Sequence, residues 1–327
     1  MQTFESIDDD LNPPARADFE AIALDLFLAQ ARECTVYHQY LTYLGVDPRQ
    51  VNTIQDIPFL PISLFKHHLV MTGRWTPEVI YTSSGTTGAD ASRHAVSSVS
   101  YYLRNARRTF ELFYGPLTDF HVLCLLPSYL ERTGSSLVAM ANHFIMASES
   151  PRSGFYLNDL DALASMLESL RDGRKVLLLG VTFALLDLAE QFELDLSHCM
   201  VMETGGMKGR RPEITREELH TLLTRSFNVP VIHSEYGMTE LLSQAYSAGA
   251  GVFKCPPTMR VLLREIDDPF SPEYRGTGVI RVIDLANHHS CAFIESQDLG
   301  RIYENGDFEV LGRLDNSDLR GCNLLVG

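Results

Sequence analysis

The sequence predicts an α/β fold: a mostly parallel sheet with helices on its faces and a smaller β-rich subdomain toward the C-terminal side. Three observations carry this. Short apolar runs alternate with amphipathic stretches between residues 120 and 233, and glycine- and hydroxyl-rich segments follow those runs. After about residue 255 the pattern turns to β, and Asn305-Gly306 is a strong hairpin-turn signal.

Taken in order, residues 17–44 read as a helix, because Phe19, Ile22, Ala23, Leu26 and Phe27 recur at one-face spacing before Gly45 and Pro48. Ile57-Pro58-Phe59-Leu60-Pro61 is an extended connector. Buried strands are expected at 120–126, 175–179, 199–202 and 229–233, and helices at 160–170, 181–192 and 215–227. In open α/β sheets ligands bind beyond the carboxyl ends of the strands. The segments expected there are Pro127-Ser128-Tyr129, Glu203-Thr204-Gly205-Gly206-Met207-Lys208 and Ser234-Glu235-Tyr236-Gly237-Met238-Thr239-Glu240. Strands follow at 259–265 and 278–285, then a hairpin pairing 301–304 with 308–311. The expected organisation is an N-terminal helical segment at 1–50, an α/β core at 51–255 and a β-rich subdomain with a C-terminal tail at 256–327.

Bulk properties narrow the function. A chain of 327 residues can bury a large core. Its formal charge of −15, from 27 basic and 42 acidic residues, argues against nucleic acid or an anionic membrane surface as partner. The richest apolar stretch, 176–186, is interrupted by Gly180 and Thr182, so no integral membrane association is expected. The acidic start, with Asp8, Asp9 and Asp10, lacks a signal-peptide pattern and points to the cytoplasm. Cys34, Cys124, Cys199, Cys255, Cys291 and Cys322 show no metal-ligand spacing and suit reduced thiols.

The tract Tyr81-Thr82-Ser83-Ser84-Gly85-Thr86-Thr87-Gly88 follows the apolar pair Val79-Ile80. Small residues let backbone amides approach an anion, and hydroxyls add donors for phosphate oxygens. Alone, the tract fits a solvated turn as well as a polyphosphate cradle. It lacks the Gly-Lys-Ser/Thr ending of the Walker loop. Three further elements follow: Tyr236-Gly237-Met238-Thr239-Glu240, Asp298-Leu299-Gly300-Arg301 and Gly312-Arg313-Leu314-Asp315. Singly, Tyr236 fits a core aromatic, Glu240 a helix N-terminal carboxylate, and Asp298 with Arg313 a surface ion pair.

In this order the four motifs resemble those of the adenylate-forming superfamily of acyl-CoA synthetases, peptide-synthetase adenylation domains and luciferases. The resemblance implies the large-domain fold of those enzymes, with ATP and Mg²⁺. It implies that Thr82, Ser83, Ser84, Gly85, Thr86, Thr87 and Gly88 hold the β/γ-phosphates, and that Gly205 and Gly206 let backbone approach the adenine edge. Tyr236, followed by Gly237, would lie against adenine and Thr239 would contact the α-phosphate. Glu240 would hold Mg²⁺, Asp298 would accept from the ribose hydroxyls, and Arg313 would reach the sugar or phosphate. The superfamily continues into a mobile domain carrying a catalytic lysine. Here the chain stops twelve residues after Asp315, so that lid is expected to be missing, and no lysine follows Gly88.

A narrower likeness rests on Pro58-Phe59-Leu60-Pro61 with Leu64-Phe65-Lys66, on Gly205-Gly206-Met207-Lys208-Gly209-Arg210, on Ser234-Glu235, and on Arg320-Gly321-Cys322-Asn323. Across about residues 50–326 the chain is similar to the acyl-protein synthetase family of the bacterial bioluminescence pathway. That implies activation of a carboxylic acid, expected to be a fatty acid, transfer to a cysteine near the C-terminus, and delivery to a partner reductase or carrier. Cys322 is the candidate nucleophile: Arg320 would lower its pKa and Gly321 would free the backbone, although Cys322 also fits the start of a buried Leu324-Leu325-Val326 tail. Lys208, ahead of Lys254, is the candidate to replace the lid lysine. Two other readings stay open: an acyl-CoA ligase of the phenylacetate type, and a non-catalytic module that binds ATP or acyl-adenylate. Residues 135–144 and 241–246 are apolar enough to line an acyl site or simply to fill core.

Overall fold

The computed structural model describes residues 16–83, 91–126, 134–157, 159–205, 214–268 and 276–314. Two helices open it, α1 (Arg16–Glu33) and α2 (Thr35–Tyr43), where one was expected. Cys34 between them is extended, with φ −90° and ψ 104°, and bridges to Thr72. Next come β1 (Leu60–Pro61), α3 (Leu64–His67) and a two-stranded antiparallel hairpin, β2 (Val79–Thr82) with β3 (Arg93–Val96). The hydroxyl tract begins in β2.

Helix α4 (Val99–Tyr114) starts where the Ser98 side chain accepts from the Tyr101 amide and stops at Gly115, whose φ of 89° suits glycine. The alternating region then delivers β4 (Phe120–Leu125), α5 (Ser136–Ala147), β5 (Gly154–Phe155), α6 (Leu160–Ser169), β6 (Lys175–Gly180), α7 (Thr182–Gln191), β7 (Cys199–Glu203) and α8 (Arg216–Phe227). A capping box between Thr215 and Glu218 fixes the start of α8. The remaining strands are β8 (His233–Tyr236), β9 (Ala245–Ser247), β10 (Val252–Lys254), β11 (Met259–Arg264), β12 (Thr277–Asp284), β13 (Phe293–Ile302) and β14 (Phe308–Arg313).

Among the described residues, one sheet runs β11-β12-β13-β14-β10-β9-β8-β7-β6-β4-β5, with β1 parallel to β13 off the path. Strands β5, β4, β6, β7 and β8 are mutually parallel, and β8 to β9 is the first antiparallel step. Every residue of β4 is buried, as a parallel strand covered on both faces requires. The antiparallel strands after residue 255 therefore continue the same sheet. One core cluster centres on the parallel strands, with Val122, Leu177 and Val201. A second joins α1 and α2 to the antiparallel strands through Phe27, Tyr37, Phe59 and Phe293, whose rings meet at 5.9–6.2 Å. No described helix is long and apolar enough to cross a membrane.

One strand differs in a way that matters for the site. The apolar run at 229–233 predicts a strand there, but Pro230 has no N–H to give a ladder, and β8 instead covers His233–Tyr236. Ser234, Glu235 and Tyr236 are thus inside the strand, and only Gly237 onward lies past its end. Strand β13 also begins at Phe293 rather than at 301, so Asp298 is a strand residue facing Arg313.

Candidate active site

The four motifs meet around the end of β8. Tyr236 is buried in edge contacts with Phe253 and Phe308, 5.8 and 5.4 Å between ring centres, and its hydroxyl donates to Asp298 Oδ2 at 2.9 Å. Burial, then the charge of Asp298, push the Tyr236 pKa up, so the phenol is a neutral donor. Asp298 pairs in register with Arg313, whose Nε lies 3.6 Å from its other oxygen. Burial raises the Asp298 carboxyl, with Arg313 and Tyr236 opposing. The neighbouring glycine is required by close approach: a Cβ on Gly300 would lie 2.5 Å from the Glu309 carbonyl and 2.7 Å from Ile280.

The segment after β8 is held from the other side by the tract's own hairpin. His94, opposite Tyr81 on β3, donates from Nδ1 to the Thr239 carbonyl at 2.8 Å and sets Nε2 3.0 Å from Asn287 Oδ1. Asn287 Nδ2 donates to the Glu240 carbonyl at 2.7 Å and to the Cys291 carbonyl at 3.0 Å. Complete burial lowers the His94 pKa to about 4, against the bonds to Thr239 and Asn287. Thr239 and Glu240 are therefore positioned through their backbone carbonyls. Asp284 fixes the next turn, accepting from the amides of Leu242 and Ser243 at 2.7 and 3.0 Å.

The Glu240 carboxyl is buried, which raises its pKa, while the Ser92 hydroxyl and the charge of Arg313 oppose the shift. Ser92 also closes the base of the tract: its amide donates to Ser83 Oγ at 2.9 Å, and the Ser83 amide donates to its carbonyl at 3.1 Å. The Thr82 amide donates to the Gly134 carbonyl at 2.7 Å. No group of three or more His, Cys, Asp or Glu forms a metal cluster among the described residues. One carboxylate, Glu240, fits Mg²⁺, which is commonly held by one or two carboxylates plus phosphate oxygens and water.

Gly205 follows β7 with φ 72°, and its amide donates to Glu203 Oε2 at 2.6 Å. Glu203 is buried, which pushes its pKa up, but His220, Arg216, Ser234 and the Gly205 amide bring it down to about 2. The structure thus joins Thr82 and Ser83 to Thr239 and Glu240, and Tyr236 to Asp298 and Arg313, with Gly205 beyond the adjoining strand. Ser84, Gly85, Thr86, Thr87, Gly88, Gly206, Lys208 and Cys322 lie outside the described residues. His94, Ser92 and Asn287 were not among the sequence-derived candidates. Their roles come from bonds to distant backbone, which no local spacing marks. Two clefts, one of about 590 Å³ on α8 lined by Glu217 and Arg225 and one of about 260 Å³ lined by Lys175, His198 and Cys199, lie away from these residues.

The family model described as acyl-protein synthetase, LuxE, matches residues 15–327. A search of curated proteins finds no sequence match. Among solved structures, 2-hydroxyisobutyryl-CoA ligase in complex with 2-HIB-AMP and CoA is similar at TM-score 0.65 and 12% identity, over 90% of this chain and 74% of that one. ATP-bound MatB from Rhodopseudomonas palustris is similar at TM-score 0.54 and 19% identity, over 73% of this chain. The match spans 49% of MatB. These likenesses bear on the fold.

Proposed function

The chain belongs to the acyl-protein synthetase, LuxE, family and is an adenylate-forming ligase, and on that premise we propose that it activates a fatty acid with ATP and Mg²⁺ and passes the acyl group to a protein cysteine. The observation that supports this reading is convergence. Motifs spread from residue 82 to residue 313 meet at residues 236–240, through His94 and Asn287 on one side and the Tyr236–Asp298 bond on the other.

The chemistry asks for that arrangement. A carboxylate is a poor electrophile, so its oxygen attacks the α-phosphorus of ATP, the bond to the bridging oxygen breaks, and pyrophosphate leaves. A thiolate then attacks the acyl carbon and displaces AMP, forming a thioester. Thr82 and Ser83, with Ser84, Gly85, Thr86, Thr87 and Gly88, donate to the departing phosphates, and Thr239 contacts the α-phosphate. Glu240 would hold Mg²⁺, which offsets charge on the phosphate oxygens. Tyr236, Gly205 and Gly206 border the adenine, while Asp298 and Arg313 take the ribose. Lys208 offsets charge at the α-phosphate, and Cys322 is the thiol acceptor in a cytoplasmic enzyme that serves a partner reductase or carrier.

The test is incubation with Mg·ATP and a panel of carboxylic acids, reading AMP release and hydroxylamine-labile acyl-protein by mass spectrometry. The reading expects both signals, and expects Cys322→Ser to keep AMP formation while losing the label. No AMP with any acid sinks the activity. Label that survives in Cys322→Ser removes that residue as acceptor.

A further inference from the structure

The residues at 241–246, read from sequence as apolar lining or as core, include polar side-chain atoms with no partner. Glu235 pairs across β8 and β9 with Tyr246, and Tyr236 with Ala245, which sets Gln244 opposite Gly237. The three side chains Glu235, Gln244 and Tyr246 share one face of the strand pair. Their relative exposures are 8%, 3% and 2%. Among the described residues, Gln244 Oε1 and Tyr246 Oη have no hydrogen-bond partner. Nor does any described residue hydrogen-bond the Glu235 carboxyl. A Cβ on Gly237 would lie 2.5 Å from Glu235 Oε1 and 3.4 Å from Gln244 Cγ, so the carboxyl and the amide side chain converge over a glycine that leaves them room.

The surroundings make these orphans costly. Tyr246 packs against Phe110, Phe113 and Tyr114 of α4 at 5.5–6.0 Å. Tyr102, whose pKa is raised partly by the charge of Glu235, has already committed its hydroxyl to the Ser136 carbonyl at the start of α5. Burial, then repulsion from Glu203, push the Glu235 pKa up to about 8. Buried polar atoms are almost always paired, so an unpaired set at one place asks for a ligand group. Two of the three present acceptor oxygens, and the tyrosine hydroxyl accepts or donates. The site is one residue before Tyr236 and four before Thr239, on the strand face opposite the Tyr236–Asp298 bond.

We infer that this face of β8 and β9 reads the chain of the acid, and that the selected acid carries a hydrogen-bond donor, an amine or a hydroxyl, on its aliphatic chain. The inference rests on the adenylation reading above and names its substrate class. An ammonium group would pair with Glu235; a hydroxyl would donate to Gln244 and accept from Tyr246. A plain hydrocarbon would leave all three unpaired, which is the situation in which sites built to hydrogen-bond a substrate discriminate most strongly.

The test is acid-dependent ATP–pyrophosphate exchange on the full chain, with a ladder of straight-chain acids and their ω-hydroxy and ω-amino counterparts. A substituted acid is expected to exceed the plain acid of the same length by at least about tenfold in kcat/KM. Tyr246→Phe and Glu235→Gln are expected to reduce that ratio, Glu235→Gln acting mainly on an amine and Tyr246→Phe on a hydroxyl. Because the readout is a ratio between acids on one preparation, partial loss of folded protein does not imitate it. Plain acids that match or exceed their counterparts throughout, or a ratio unchanged in both variants, would overturn the inference while leaving adenylation standing. No exchange with any acid would sink both.

Discussion

Two buried carboxylates at neighbouring strand ends, Glu203 on β7 and Glu235 on β8, have opposite fates. Glu203 has Arg216 Nε at 3.2 Å, the Gly205 amide at 2.6 Å and His220 beside it, and its pKa falls to about 2. Glu235, on the other face of the sheet and within reach of the Glu203 charge, has no such partners and rises to about 8. Burial is the same; partnership is not. The lesson is that a buried carboxyl with a complete hydrogen-bond set stays ionised as part of the framework, whereas one without it is held in its neutral form.

The comparison breaks hardest at Arg216. Arg216→Met leaves Glu203 buried without its cation, and the expected cost is about 3–5 kcal/mol, read by urea unfolding. A loss under about 1 kcal/mol would mean that Glu203 is held by the backbone amide and His220 alone.

Glu235 sharpens the contrast through pH. Its folded pKa of about 8 lies above the ordinary value of 4.5, so folding takes up a proton between those values. The associated stability is present below pH 4.5 and is lost as pH rises toward 8. Glu203 runs the other way: its stabilisation is present above pH 4.5 and is lost as pH falls toward 2. Relative to Glu235→Gln, the wild-type chain is expected to lose about 4–5 kcal/mol across the upper window. Parallel stability curves for the two proteins would show that Glu235 is ionised at neutral pH.

The smallest stability effect is expected at Arg313, whose side chain is 78% exposed while its partner Asp298 is half-buried. Arg313→Met should change stability by less than about 1 kcal/mol. It should nevertheless raise the KM for ATP. An unchanged KM would reassign Arg313 to the surface.

The sequence was most readable where side-chain burial is continuous. Runs such as Val176, Leu177, Leu178 and Leu179 gave parallel strands, and Thr215 with Glu218 gave a helix start, because each rests on local chemistry. Asn305-Gly306 marked the β13–β14 turn for the same reason, with Gly306 at φ 88°. Reading failed at β8, where a buried strand is made of His, Ser, Glu and Tyr, and at β9 and β10, three residues each and too short for periodicity. Of the site, the motif residues were legible as motifs. His94 and Asn287 were not, since their bonds span 145 and 47 residues of chain. The unpaired state of Glu235 was likewise invisible, because it depends on what fails to surround it.

The sheet's short central strands carry a mechanical consequence. Strand β10 is aligned with β9 through two residue pairs and with β14 through two, whereas β12 and β13 share six. Lateral load across the sheet would concentrate at that seam. Tyr236 stands on one side of it and Asp298 on the other, and the 2.9 Å bond between them spans it, as does the 3.0 Å bond from Arg216 to the Val310 carbonyl. These two side-chain bonds act as rivets, so Tyr236, which we propose borders the adenine, also keeps the two halves of the sheet in alignment.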